Sequence, residues 1–264
     1  MIASYGKTAI TNISQERLQP LIVPLPPLEE QHRIAAILDK ADAIRRKRFE
    51  AIRLTEELLR AAFLDMFGDP VTNPKGWDMK SFGDVGTLER GKSKHRPRND
   101  PSLLGGSYPL IQTGEIANCK GIIESYTQTY SEKGLAQSRM WPAGTLCITI
   151  AANIAETGIL AFDACFPDSV VGFCGLEVVT EYVQGWLGFL QPLIEDRAPQ
   201  VAPKNINLQI LRELELPVPP IKLQKKYSDF VKLLREQIEK SEEHKKYIDN
   251  LFNSLLHRAF RGEL

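Results

Sequence analysis

Residues 205–224 read NINLQILRELELPVPPIKLQ, and residues 12–31 read NISQERLQPLIVPLPPLEEQ. The two stretches align without a gap at a constant offset of 193 residues. Eight of twenty positions are identical: Asn12/Asn205, Ile13/Ile206, Leu18/Leu211, Leu21/Leu214, Pro24/Pro217, Pro26/Pro219, Pro27/Pro220 and Gln31/Gln224. An internal repeat changes the reading of everything around it. Both copies run in the same order: a polar start, a short apolar strand, a proline stop P-x-P-P, then a long charged segment. Proline is tolerated at the first turn of a helix and poorly inside it. Neither following stretch contains a proline or glycine for more than 35 residues. Each copy therefore predicts a junction that opens a long helix of about 39 residues, on the order of 58 Å at the helical rise.

In the second helix Tyr227, Val231, Leu234, Ile238, Ser241, Lys245, Ile248, Phe252, Leu255 and Ala259 recur at alternating steps of four and three. That is a heptad seam, with Ser241 and Lys245 as polar interruptions able to set register. In the first helix Ile34, Ile37, Ala41 and Ile44 begin a similar seam, which shifts phase to Phe49, Ile52, Leu59, Phe63 and Met66 as a stutter would. The residues expected at a helix–helix or partner interface are Ile34, Ile37, Ile44, Ile52, Leu59, Val231, Leu234, Ile238, Ile248, Phe252 and Leu255. One helix leads out to the intervening residues and the other returns, so chain direction favours an antiparallel coiled coil. The helices read as a spacer and the middle as what is spaced.

The whole chain has 264 residues, 43% hydrophobic and 25% charged, the mixture of a chain that buries one ordinary core and carries an appendage. No apolar run reaches the roughly 18–20 residues that cross a bilayer, and no export signal follows Met1, so a cytoplasmic protein is expected. Cys119, Cys147, Cys165 and Cys174 form no C-x-x-C pair and read as reduced core thiols. No metal-ligand spacing and no cofactor motif is found. Lys plus Arg number 33 and Asp plus Glu 33, so any polyanion contact must come from local placement of charge.

Residues 70–204 carry most of the glycines and all three tryptophans. The stretch GDPVTNPKG at 68–76 ends the first helix. Short β-type runs are expected at Tyr108–Gln112, Thr145–Ala151, Gly158–Phe162 and Leu176–Thr180. Residues 181–195 predict a helix with Trp186, Leu187 and Leu190 on its buried face, limited by Pro192. The fold class is α+β: one globular unit with a mixed sheet and helices, plus the two long helices as an antiparallel coiled coil.

Residues 86–93, GTLERGKS, match the phosphate-loop pattern G-x-x-x-x-G-K-[ST]. Such a loop must follow a buried strand and open a helix. Here KSFGDV precedes it, and the following KHRPRNDPS holds Pro97 and Pro101 with no apolar face, so nucleotide hydrolysis is disfavoured. Arg90, Lys92, Lys94, Arg96 and Arg98 instead put five cations within nine residues, with His95 among them. A Gly/Pro-punctuated loop of this kind can follow phosphates while a guanidinium reaches a guanine edge. Five phosphate contacts would give a log–log salt slope of about −4.5. A solvated loop without a partner is the alternative. Gln112, Thr113, Glu115, Ser138, Arg139, Asn153, Gln200, Lys204 and Asn205 are further polar candidates, since Asn and Gln pair with adenine, though each also suits a turn or cap. Trp77, Trp141 and Trp186 read as core.

Catalytic constellations are not found: no N-P-P-[YFW], no carboxylate–lysine nuclease set, no H-E-x-x-H and no G-x-S-x-G. A non-catalytic protein is expected. Two rivals to a DNA reader remain, a coiled-coil scaffold or dimeric regulator that never touches DNA, and a phosphate-loop enzyme.

The duplicated P-x-P-P-[LI]-x-x-Q junctions around one globular unit resemble the specificity (S) subunit of type I restriction–modification enzymes. The first, Val23 to Gln31 followed by Ile34-Ala35, matches closely; the second, Leu216 to Gln224, departs at Lys222-Leu223. Trp77, Phe82 to Val85, Arg90 to Lys92, Tyr108-Pro109 through Gly114 to Ile116, and Pro142 to Thr145 are similar to the framework of that family's target recognition domain. The resemblance implies that residues 1–27 are the tail of a recognition-domain-like segment, 28–67 the first spacer helix, 68–220 a target recognition domain and 221–264 the second spacer helix. It implies a subunit without catalysis that binds double-stranded DNA, reads one half of a bipartite target, and docks two methyltransferase (modification) subunits on the coil. Restriction subunits join the assembled complex. A complete family member carries two recognition domains. One alone implies a homodimer or pairing with another half-subunit.

Overall fold

The computed structural model describes residues 19, 25–95, 97, 99–151, 154–197 and 207–261. Two compact units divide the chain, one formed by Met1–Arg53 with Glu239–Leu264, the other by Leu54–Ile238.

From the proline run onward the two copies share their structure; residues 12–18 and 20–24 of the first lie outside the described residues. The first long helix, α1, spans Leu28–Phe67, and the last, α6, spans Ile221–Arg261. Their first residues are again 193 apart. In each copy the glutamine amide turns back on the proline run: Gln31 Nε2 donates to the Pro26 carbonyl at 2.8 Å, and Gln224 Nε2 to the Pro219 carbonyl at 2.7 Å. A carbonyl left over at the helix entrance is thus satisfied the same way twice.

The first unit consists, among its described residues, mainly of the N-terminal part of α1 and the C-terminal part of α6. Within it the Arg45 guanidinium lies 4.8 Å from the centre of the Phe252 ring. Ile34, Ile37, Leu38, Ala41, Arg45 and Arg48 are half-buried, whereas Ile44 and Phe49 are 54% and 55% exposed. The sheltered stripe of α1 therefore runs on through Arg45 and Arg48 at heptad spacing, without the expected phase shift. Arginine stems cover apolar surface while the heads stay wet, so cations can hold seam positions. On α6, Ile248, Phe252, Leu255 and Ala259 are half-buried. The side chains of Ile52, Ser241 and Lys245 lie outside the described residues.

The second unit has a five-stranded mixed sheet. Its strands are β2 (Gly86–Arg90), β10 (Val170–Gly175), β7 (Leu146–Thr149), β8 (Thr157–Leu160) and β4 (Ile122–Ile123), in that spatial order. All neighbours are antiparallel except β4 and β8. A four-stranded sheet orders β5 (Gln128–Tyr130), β3 (Leu104–Leu110), β9 (Ala164–Cys165) and β6 (Met140–Trp141). Short helices α2 (Thr113–Asn118), α3 (Glu132–Ala136) and α5 (Leu208–Arg212) and the longer α4 (Thr180–Arg197) complete it. The second repeat closes the unit on itself: β11 (Glu215–Pro217) pairs antiparallel with β1 (Met79–Ser81).

The main core gathers Phe82, Leu146, Ile148, Phe173, Trp186 and Leu187 with residues from both long helices. Phe63 of α1 is 0% exposed, its ring 5.5 Å from Tyr227 of α6 and 5.6 Å from Tyr182 of α4. Burial pushes the Tyr227 hydroxyl up to about 12 and the Tyr182 hydroxyl upward as well; the latter donates to the Pro217 carbonyl at 2.6 Å. The first long helix ends where expected: Gly68, at φ +80, donates to the Leu64 carbonyl, and Trp77 Nε1 donates to the Phe67 carbonyl at 2.8 Å.

Two local expectations are corrected. Leu176–Thr180 is not a strand; the strand is Val170–Gly175, buried between β2 and β7, and Leu176 is 77% exposed. Valine runs on both sides of Gly175 look alike in sequence, and only the first is covered on both faces. Pro192 does not stop α4, which continues to Arg197. Pro192 and Gly188, whose carbonyl loses a partner, are both exposed, so that carbonyl is open to solvation. All four cysteines are free thiols, and burial pushes the Cys147 thiol well up, which keeps it protonated and unreactive.

Candidate nucleic-acid interface

Strand β2 holds the first five residues of the formal phosphate-loop motif, and residues 91–95 that follow it are not helical. Arg90 pairs with Val171 across the sheet, and Gly91 N donates to the Val170 carbonyl at 2.9 Å. A Cβ at Gly91 would stand 2.3 Å from the Phe166 carbonyl oxygen and 2.5 Å from that of Pro167. Glycine is thus required where the chain leaves the sheet for steric reasons, not to cradle an anion.

Beyond Gly91 the chain forms an exposed strap. Lys92 and Lys94 point to solvent on either side of the buried Ser93. The strap is tied to residues 137–138: Ser138 Oγ donates to the Lys92 carbonyl at 2.9 Å, and His95 N to Gln137 Oε1 at 3.0 Å. His95 Nε2 lies 2.9 Å from Asp100 Oδ2. Bonds from the Ser102 backbone and hydroxyl, then His95, hold the Asp100 carboxyl below its ordinary range. Arg90, Lys92 and Lys94 make no ion pair among the described residues.

Arg139 lies next to this strap. Its guanidinium sits 4.1 Å from the centre of the Trp141 ring and pairs with the Glu89 carboxylate. Trp141 is core, as expected, at 1% exposure, yet it also supplies the face on which Arg139 rests.

Gln112 and Thr113 open α2 and line a concavity of about 230 Å³ together with Asn99, Gln128 and Ser169. Leu110, Tyr130 and Pro167, all buried, form its floor. Gln112 Nε2 donates to Gln128 Oε1 at 2.8 Å. Gln112 N donates to Glu115 Oε2 at 3.1 Å, and the other oxygen of Glu115 accepts from the Thr127 hydroxyl. Of the residues singled out in the sequence, Arg90, Lys92, Lys94 and Arg139 thus come together at one edge, and Gln112 and Thr113 at the neighbouring concavity. Arg96, Arg98, Asn153 and Lys204 lie outside the described residues. Sequence reasoning missed Glu89, Asn99 and Gln128, which bear no motif and gain meaning only from what folds against them. No cluster of three or more His, Cys, Asp or Glu suited to a metal ion occurs among the described residues. No described helix is long and apolar enough to cross a membrane.

The family described as type I restriction modification DNA specificity domain matches residues 1–56 and 74–249. A putative type I restriction enzyme MjaX specificity subunit of Methanocaldococcus jannaschii is 22% identical over 269 residues, spanning 96% of this chain. The HsdS subunit of Thermoanaerobacter tengcongensis superposes with a TM-score of 0.58 at 21% identity over 99% of this chain. A type I restriction–modification S subunit from M. genitalium gives 0.61 at 17% identity over 94%. A chain from a structure of type I R-M system assembly and conformational transition gives 0.67 at 21% identity over 98%. These structures share the fold. The present chain spans 62% of the curated relative's length and 66% of each of the three structures.

Proposed function

Since this chain belongs to the type I restriction modification DNA specificity domain family, we propose that it reads one half of a bipartite double-stranded DNA target. In this reading residues 68–220, within the unit of Leu54–Ile238, are the reader, and the two long helices pair as an antiparallel coiled coil that docks methyltransferase subunits. Restriction subunits join the assembled complex. The chain supplies no catalytic step and needs no cofactor, and it works in the cytoplasm. A second copy, or another half-subunit, provides the second reader; two-fold symmetry in the protein would then be matched by an inverted repeat in the DNA.

The observation that carries the reading is the strap after β2. Lys92 and Lys94 on it, and Arg90 at the end of β2, stand without a carboxylate partner among the described residues; side-chain bonds fix the strap's backbone, with Arg139 held on Trp141 beside it. Such a strap can follow a phosphate backbone while neighbouring polar groups meet base edges. The stacking of Arg45 on Phe252 supports pairing of the helices, and exposed Ile44, Phe49, Tyr247 and Leu251 leave apolar surface for a docked partner.

The test is a duplex titration over salt with the methyltransferase subunits present. Contacts by Arg90, Lys92 and Lys94 alone contribute a log–log slope of about −2.7, and each alanine substitution among them should reduce the slope by about 0.9. Absent or salt-insensitive binding would favour the non-DNA scaffold instead. Tight ATP binding lost in Lys92→Ala would favour the phosphate-loop enzyme, against which the antiparallel pairing of β2 already speaks. Light scattering of the chain, alone and with methyltransferase subunits, reads the pairing.

A further inference from the structure

Building on the DNA-reading assignment, we propose that Gln112, oriented by Gln128, reads an adenine edge at one position of the half-site. A glutamine amide has two N–H donors and a carbonyl with two lone pairs. One Gln112 N–H is spent on Gln128 Oε1, at 2.8 Å. What remains on this planar amide is one N–H and the carbonyl lone pair that the Glu115 backbone N–H of the capping box does not take. Adenine offers the complement in the major groove, an N7 acceptor beside an N6 amino donor. Guanine presents two acceptors there and would set one against the Gln112 carbonyl; cytosine offers a donor only.

The amide is held ready for this. The Glu115 carboxylate accepts from Gln112 N with one oxygen and from the Thr127 hydroxyl with the other, so it ties together the two segments that carry the glutamines. Gln112 and Gln128 are both exposed, over a buried floor of Leu110, Tyr130 and Pro167. An apolar surface beside an adenine-reading amide suits the methyl group of the paired thymine. The concavity also adjoins the basic strap. Asn99, on its rim, comes soon after the cations in the chain, and Pro167, in its floor, contacts the backbone at Gly91. A duplex tracked by Lys92 and Lys94 would therefore pass next to the glutamine pair.

The full chain with methyltransferase subunits is incubated with a pool of randomised duplexes, and the bound DNA is sequenced. The wild type should enrich a motif with adenine at a fixed position. Gln112→Ala should lower the preference there by about 5- to 150-fold and leave the other positions alone. Gln112→Glu, an acceptor only, should move that position toward cytosine, whose N4 amino group a carboxylate accepts from. Gln128 is a positioning residue: Gln128→Ala should blur the same position, while Gln128→Glu, which keeps the oxygen facing Gln112, should restore it. Both side chains are exposed, so melting temperatures should stay at the wild-type value. A wild-type motif left unchanged in Gln112→Ala and Gln112→Glu, or weakened evenly at all positions, overturns this assignment alone. A wild-type chain that enriches no motif overturns the DNA-reading function and this inference with it.

Discussion

Replacing Gln224 by alanine tests whether the second junction is a structural latch. Gln224 is 0% exposed; its Nε2 donates to the Pro219 carbonyl at 2.7 Å and its Oε1 accepts from Val179 N at 2.9 Å. Truncation leaves the buried Pro219 carbonyl without a partner, at about 1–3 kcal/mol. The Val179 bond is only part-buried, so its loss adds about 0.5–1.5 kcal/mol. The sum, about 1.5–4.5 kcal/mol, exceeds what the equivalent change costs in the first copy. There Gln31 makes one part-buried bond, to the Pro26 carbonyl, and Gln31→Ala should cost about 0.5–1.5 kcal/mol. Denaturant unfolding followed by tryptophan fluorescence reads the reader unit, since Trp77, Trp141 and Trp186 all lie within it, and helical circular dichroism reads both changes. Gln224→Glu adds a check by pH. A buried carboxylate facing a carbonyl has its folded pKa raised above the unfolded value of about 4.3. The protonated acid can donate to Pro219 and the anion cannot. The stabilisation of Gln224→Glu is therefore present below the unfolded pKa and lost as pH rises through the folded one. Relative to wild type, it should be more stable at acid than at neutral pH. Equal costs for Gln31→Ala and Gln224→Ala, or no pH dependence in Gln224→Glu, would refute the latch.

Three further outcomes are expected. Phe63→Ala empties the middle of an aromatic cluster shared by α1, α4 and α6 and should cost about 3–5 kcal/mol in denaturant unfolding; a loss below about 1 kcal/mol would show that the end of α1 is not part of the core. Glu89→Gln releases Arg139 from an exposed ion pair, so stability should change by less than about 1 kcal/mol while duplex affinity rises on every sequence and the salt slope steepens by up to about 0.9. Failure to change the binding at all would place Arg139 away from DNA. Ile248→Asp with Phe252→Asp should separate the helices and abolish methyltransferase docking, as read by co-elution; an intact complex would put docking elsewhere.

What the sequence makes legible is what repeats or alternates. The repeat marks two junctions that each open a long helix, and the helices begin at Leu28 and Ile221, because proline is poorly tolerated inside a helix and the glutamine bonds back to the proline run. The apolar spacing of α6 is legible for the same reason: it follows one face of one helix. The path of α1's stripe is not, because two arginines, Arg45 and Arg48, hold half-buried positions on it, which a hydrophobic pattern does not register. The position of β10 was lost between two similar valine runs that only tertiary cover tells apart. At the candidate interface the cations announced themselves by density. Gln128 and Glu89 did not, because each acts through a residue distant in sequence, Gln112 and Arg139, and only the folded sheet brings the partners together.

The zero net charge of the chain and its proposed partner are reconciled by where the charges cancel. Along α1 acid and base neutralise each other one turn apart, in Glu30–Arg33, Asp42–Arg45 and Glu50–Arg53. Pairs at this spacing, exposed or part-buried, contribute little to stability, but they cancel charge locally along the helix. Lys80 is answered by Glu177, and Arg139 by Glu89. The cations at the end of β2 and just beyond it are left out of this cancellation: no described carboxylate pairs with Arg90, Lys92 or Lys94. A field confined to one strap acts over about a Debye length, roughly 8 Å at physiological salt. It can grip a phosphate chain laid against it and does little at longer range. Such a protein holds DNA weakly wherever the strap alone touches, and base-edge contacts at the neighbouring concavity must add the rest, so sequence preference should persist at salt concentrations that abolish binding to unrelated duplex.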